Sequence, residues 1–161
     1  MNVYLIRHGI ASDRAEYSSD AERPLTELGR KKTKKVAKRL FNLNIRFDLI
    51  LTSPLVRAVQ TAEILQNTGL CKKREIFESL SPDGDINLWV NWYALNQDHH
   101  SVALVGHQPD LGNWAEILTW GKVGEKLIVK KAGVIGVKIF ENGTPIGNGE
   151  LFLLSSPKWL I

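Results

Sequence analysis

Two histidines in this chain close short apolar runs. Arg7-His8-Gly9 follows Val3-Tyr4-Leu5-Ile6, and Gly106-His107 follows the segment Ser101 to Val105. Between them, Ser53-Pro54 follows Phe47 to Thr52, with Arg57 about one helical turn further on. These residue types suit phosphoryl chemistry. Paired guanidiniums can grip a phosphoryl group through several N–H bonds, and a neutral imidazole beside them can attack phosphorus. No spacing here suits a metal: Cys71 is the one cysteine, and neither C-x-x-C nor H-x-x-x-H occurs. No cofactor is implied.

The elements that must bring these groups together are short strands alternating with helices. Val3–Ile6, Phe47–Thr52, Glu75–Phe77 and Ser101–Val105 read as strands, the first two and the last being nearly continuous apolar runs. Thr26 is placed to cap a helix with Leu25, Leu28, Thr33, Val36, Ala37, Leu40 and Phe41 on one face. Ser53-Pro54 reads as a helix start, running to about Gln66, and would aim a positive helix end at a bound anion. Helices are expected over Ile86–Leu95, with Trp89 and Trp92 on one side, and over Asp110–Leu118. Ser12 to Arg23 reads as a surface loop and Ser81 to Asp85 as a turn. Gly133–Phe140 and Gly149–Leu154 are strand-like, with Asn142-Gly143 as the turn between them. The expectation is one α/β domain over residues 1–161, a mostly parallel sheet flanked by helices with an antiparallel edge near the C-terminus. In such a sheet, ligands bind beyond the carboxyl ends of the strands, where both histidines and both arginines lie.

Four motifs resemble those of the histidine phosphatase superfamily, which has the phosphoglycerate-mutase-like fold. Arg7-His8-Gly9 resembles its R-H-G signature. Ser53-Pro54-Leu55-Val56-Arg57-Ala58-Val59-Gln60-Thr61-Ala62 is similar to S-P-x-x-R-A-x-Q-T-A, and Val105-Gly106-His107-Gln108-Pro109 to V-G-H-x-P. Arg23-Pro24-Leu25-Thr26-Glu27-Leu28-Gly29 resembles R-x-L-T-x-x-G. The short stretch between Arg57 and His107, together with Leu80-Ser81-Pro82-Asp83-Gly84-Asp85, resembles the compact SixA-type phosphohistidine phosphatases. That resemblance implies His8 as nucleophile, with Arg7, Arg57 and His107 holding the phosphoryl oxygens. It implies Gly9, Arg23 and Ser53 around the substrate, Gly9 letting the backbone turn and fixing the His8 tautomer through its carbonyl. A general acid is expected after the third strand, where Glu78, Asp83 and Asp85 lie; Glu78 and Asp85 are the candidates. The implied activity is metal-independent hydrolysis of protein phosphohistidine. Hydrolysis of a small phosphate ester, from a sugar phosphate or nucleotide, is the alternative, and a non-catalytic phosphoprotein-binding module a more distant one.

Composition narrows the setting. Of the 161 residues 43% are hydrophobic and 24% charged, which excludes a disordered or fibrous chain. The formal charge of +4 is modestly basic. The densest charge run, Arg30 to Arg39, reads first as a solvated helix face; the functional alternative is a docking surface for an acidic phosphoprotein. The expected partner is a phosphorylated phosphotransfer or signalling protein. Nucleic acid and membrane partners are not expected, and a monomer in the cytoplasm is.

Overall fold

The computed structural model describes residues 1–141 and 143–161. Its centre is a sheet built from β1 (Asn2–Arg7), β2 (Leu49–Thr52), β3 (Arg74–Ile76), β4 (Ser101–Gly106), β5 (Val134–Lys138) and β6 (Glu150–Ser155), in the order β3-β2-β4-β1-β5-β6. β3, β2, β4 and β1 run parallel; β5 is antiparallel to β1, and β6 to β5. The expected mostly parallel sheet with an antiparallel C-terminal edge is present. The turn expected at Asn142-Gly143 includes a residue outside those described.

Period-two alternation sorts the strand side chains into two apolar layers. Val3, Leu5, Leu51 and Leu104 pack on one face against Trp89 of α3 (Ile86–Leu95) and Trp114 of α4 (Asp110–Trp120). Tyr4, Ile6, Ile50 and Val105 pack on the other against Val36 and Leu40 of α1 (Glu27–Asn42) and Ala62 and Leu65 of α2 (Val56–Asn67). Because both faces are covered, β1 and β4 read as continuous apolar runs rather than alternating ones. A short α5 (Pro157–Leu160) ends the described chain and packs beside α1.

α1 begins as its sequence suggests: the Thr26 hydroxyl accepts the Gly29 N–H at 2.9 Å. Its buried face is Gly29, Thr33, Val36, Ala37 and Leu40, while Leu28, expected inside, is 55% exposed. Gly29 takes the inner position because the backbone of Ile10 lies where a Cβ would sit. The start of α2 also differs from expectation. Ser53, Pro54 and Leu55 lie ahead of the helix, Leu55 in an extended conformation, and the helix begins at Val56. The Ser53 hydroxyl is drawn inward to His107 and receives the Leu55 N–H at 3.3 Å, which makes a turn ahead of the helix. Strand β3 lies one residue earlier than expected.

Candidate active site

The carboxyl ends of β1 and β4 deliver His8 and His107 side by side, their ring centroids 5.2 Å apart. Arg57, from the first turn of α2, lies between them and is 4% exposed. Its Nε donates to His8 Nε2 at 3.2 Å, and its Nη2 is 3.5 Å from His107 Nδ1. Arg7 reaches across the same opening and donates to the Val129 carbonyl at 3.1 Å. A crevice of about 390 Å³ opens onto Arg7, His8, Arg23, Arg57, His107 and Lys131, with Pro82, Asp83, Pro109 and Asp110 forming a lip.

The protonation of His8 follows from its partners. Nδ1 lies 2.7 Å from the Gly9 carbonyl, an acceptor, so Nδ1 carries the hydrogen. Nε2 therefore presents its lone pair, consistent with its accepting from Arg57. Burial lowers the His8 pKa to about 3, opposed by the Gly9 carbonyl and reinforced by His107, Arg57 and Arg7. Burial and then Arg57 lower His107 to about 4, with Asp20 opposing. Both imidazoles are neutral near pH 7. His107 Nε2 is 2.8 Å from the Ser53 hydroxyl, which holds the ring in place.

Gly9 acts on the site from beneath rather than lining it. Its N–H donates to Thr61 Oγ1 at 3.0 Å, and a Cβ there would drive into the Thr33 hydroxyl. Arg23 lines the crevice and is held by Asp20 Oδ1 at 2.8 Å and by the Ser12 carbonyl at 3.0 Å. The acid candidates are placed otherwise. Glu78 is exposed and does not line the crevice. Asp85 is occupied as the cap of α3, accepting the Asn87 N–H at 2.9 Å. The carboxylates that do line the crevice are Asp83 and Asp110, and Asp110 Oδ2 accepts the Asp83 N–H at 3.1 Å. Burial and the charge of Asp83 raise the Asp110 pKa, against the pull of backbone N–H donors.

Three contributors stand outside the motifs. Asp20 grips Arg57 twice, by its carbonyl at 2.7 Å and its carboxylate at 2.9 Å, and so joins Arg57 to Arg23. Partial burial opposes the Asp20 charge, but the bonds and charges of Arg57 and Arg23 outweigh it and hold the carboxyl below its usual range. Lys131 supplies a further cation; burial and then Arg7, Arg23 and Arg57 lower its pKa. Behind it, the Ala132 N–H points at both the Arg7 and His8 carbonyls, at 3.1 Å each, and holds the end of β1. The signal for Asp20 in the sequence is weak: an acidic residue three before Arg23, within a polar loop that folds as 3₁₀ turns at Arg14–Glu16 and Asp20–Glu22.

A parallel sheet with a cation-lined crevice at its carboxyl edge, and a neutral histidine at the crevice floor, defines an α/β protein built to hold a phosphate-like anion against an imidazole. The family model of the histidine phosphatase superfamily (branch 1) matches residues 3–78. An uncharacterized protein of Picosynechococcus sp. is 46% identical over the whole of this chain and 99% of its own length. The phosphohistidine phosphatase SixA of Escherichia coli is 33% identical over 70% of each chain. The structure of a protein histidine phosphatase SixA complexed with tungstate superposes with a TM-score of 0.88, covering 100% of both chains at 29% identity. The chain belongs to the histidine phosphatase superfamily and has the compact SixA-type fold. Members of that superfamily are hydrolases with a catalytic histidine.

Proposed function

We propose that this protein hydrolyses phosphohistidine on a signalling protein, by way of a phosphorylated His8 and without a metal ion. The observation that carries the reading is the state of His8: an unprotonated Nε2 directed into a crevice walled by arginines. In the first step Nε2 attacks phosphorus, and the bond from phosphorus to the substrate imidazole breaks. Arg7, Arg57 and His107 hold the equatorial oxygens as charge shifts onto them. In the second step water attacks phosphorus, releasing phosphate and returning neutral His8.

A phosphohistidine substrate asks little of a general acid. Its imidazole can be protonated at the ring nitrogen not bonded to phosphorus and then leaves neutral, whereas the oxygen of an alkyl ester depends on a donor. Glu78 and Asp85 stand outside the crevice, and the carboxylates in its wall, Asp83 and Asp110, sit at its lip. The walls are strand ends and short turns, which leaves room for a histidine still attached to a protein. Similarity to SixA, solved with a tetrahedral oxyanion, supports the same substrate class. Among the described residues no helix is long and apolar enough to cross a membrane, and a cytoplasmic setting completes the reading.

The test is a competition among a phosphohistidine peptide, phosphoserine and phosphotyrosine peptides, and a sugar phosphate. The phosphohistidine peptide is expected to have the highest kcat/KM, unchanged after treatment with a chelator. His8→Ala should lower turnover by several orders of magnitude with unchanged circular dichroism. Preference for the sugar phosphate would assign the small-ester activity instead.

A further inference from the structure

The crevice is one end of a longer basic trough. It shares Arg7 and Lys131 with a hollow of about 450 Å³ that is also lined by Lys32, Lys130 and Lys158. That hollow shares Lys32 with a second, of about 440 Å³, where Lys31, Lys34, Lys35 and Lys38 stand along α1. Each hollow is lined by five cations, and Lys32 is common to both, so nine cationic side chains line the two hollows beyond the crevice, with no acidic side chain in either; Ile161 also lines the second. The whole chain carries only +4, so the rest of the molecule is net acidic. Among the described residues, the only ion pair to a lysine of the trough is Lys31–Glu27, at 2.8 Å between exposed groups. The opposite lip of the crevice carries Asp83 and Asp110.

We infer that this trough, running from the crevice through Lys130 and Lys158 onto α1, docks an acidic segment of the phosphorylated partner protein. The inference rests on the activity proposed above and names the chemistry of its partner. A solvated helix face would account for the α1 lysines alone. It would not account for their junction with cations that α5 and the turn before β5 bring from the far end of the sequence. Concavity favours an extended acidic segment over a flat bilayer, and the Asp83–Asp110 lip repels such a segment from the other side. The field steers encounter and sets the orientation in which the phosphohistidine enters.

The experiment compares phosphohistidine peptides with and without flanking Glu runs, and uses phosphoramidate as a small substrate that bypasses the trough. The Glu-flanked peptide is expected to show roughly tenfold higher kcat/KM at low salt, converging with the neutral peptide near 1 M, where screening acts over about 3 Å. Combined Lys34→Glu, Lys35→Glu and Lys38→Glu should erase the advantage and leave phosphoramidate turnover unchanged. Lys130→Glu with Lys158→Glu should do the same, a second route should the α1 variant fold poorly. Equal rates on both peptides in the native protein, or an advantage that survives both reversals, would overturn the inference. Binding of the unphosphorylated Glu peptide, followed by fluorescence anisotropy, reads docking apart from catalysis. If no phosphohistidine substrate is turned over but this binding is present and lost on reversal, the activity reading fails and the docking surface stands. Tighter binding to phosphatidylglycerol vesicles than to the peptide, lost on the same reversals, would assign the face to a membrane and overturn the proposal.

Discussion

Arg57 is buried against two neutral imidazoles, so its charge depends on a partner outside the catalytic motifs. Asp20 is that partner, and it also holds Arg23. Asp20→Ala should leave Arg57 with the residue-20 carbonyl and the two imidazoles but no carboxylate, and so less firmly aimed at phosphorus. A loss of roughly ten- to a hundredfold in kcat/KM on a phosphohistidine peptide is expected, with the fold intact by circular dichroism. An unchanged rate would show that the Asp20 carbonyl suffices. The residues His8, Arg7, Arg57 and His107 were legible because each ends a strand or opens a helix, and strand ends converge in this kind of sheet. Asp20 and Lys131 were not, because each meets the site only through a tertiary contact that leaves no periodic trace. Glu78 and Asp85 lie outside the crevice for a related reason: proximity in sequence to the third strand does not set the direction of a side chain, and a helix N-terminus holds Asp85.

At the scale of elements, the segment before β5 is held in place from α4. Glu116 is buried, and burial opposes its charge. The backbone N–H groups of Gly124, Leu127 and Lys126 outweigh that cost and hold its pKa below the usual carboxylate range. Gln108 continues the clamp, donating to the Leu127 carbonyl at 3.3 Å and accepting the Val129 N–H at 3.2 Å. Val129 in turn receives Arg7. Glu116→Gln keeps the shape but replaces one acceptor oxygen with a donor facing donors. A stability loss of about 1–3 kcal/mol is expected in urea unfolding, with a raised KM as Arg7 loosens. Unchanged KM beside lower stability would confine Glu116 to the fold. The six strands and the helices α1, α3 and α4 were readable from apolar runs and capping residues, to within a residue or two; the short α5 was not. The start of α2 was not, because the hydroxyl of Ser53 is drawn to His107 rather than to a helix end, a choice made by β4.

For the whole molecule, the two lowered histidines tie stability to acidity. Their folded pKa values of about 3 and about 4 lie below the ordinary value of 6.5, so the unfolded chain binds the extra protons. Stability from keeping them neutral is complete above pH 6.5. It is lost as pH falls toward 4, at a slope that approaches about 2.7 kcal/mol per pH unit once the unfolded histidines are protonated. Urea midpoints between pH 7 and pH 4.5 should fall accordingly, and His107→Asn should roughly halve the slope. A flat profile would mean that the rings are solvated. The apparent nucleophile, by contrast, stays unprotonated throughout that range.

The position of β1 has one more consequence, for the order in which the chain acquires its structure during synthesis. β1 precedes every other strand of the sheet, yet its neighbours are β4 and β5, and its last residues are braced by Ala132. Until β4 at Ser101–Gly106 and then β5 at Val134–Lys138 have been made, the edges of β1 lack their partners, and its apolar side chains must wait in a sheltered or loosely collapsed state. β2 and β3, made next, can pair with each other but not with it. The surroundings of His8 are therefore complete only once His107, whose ring lies beside it, and Ala132, whose N–H bonds its carbonyl, have both been made. Synthesis past residue 132 is thus a condition for the side-chain arrangement that the proposed chemistry needs.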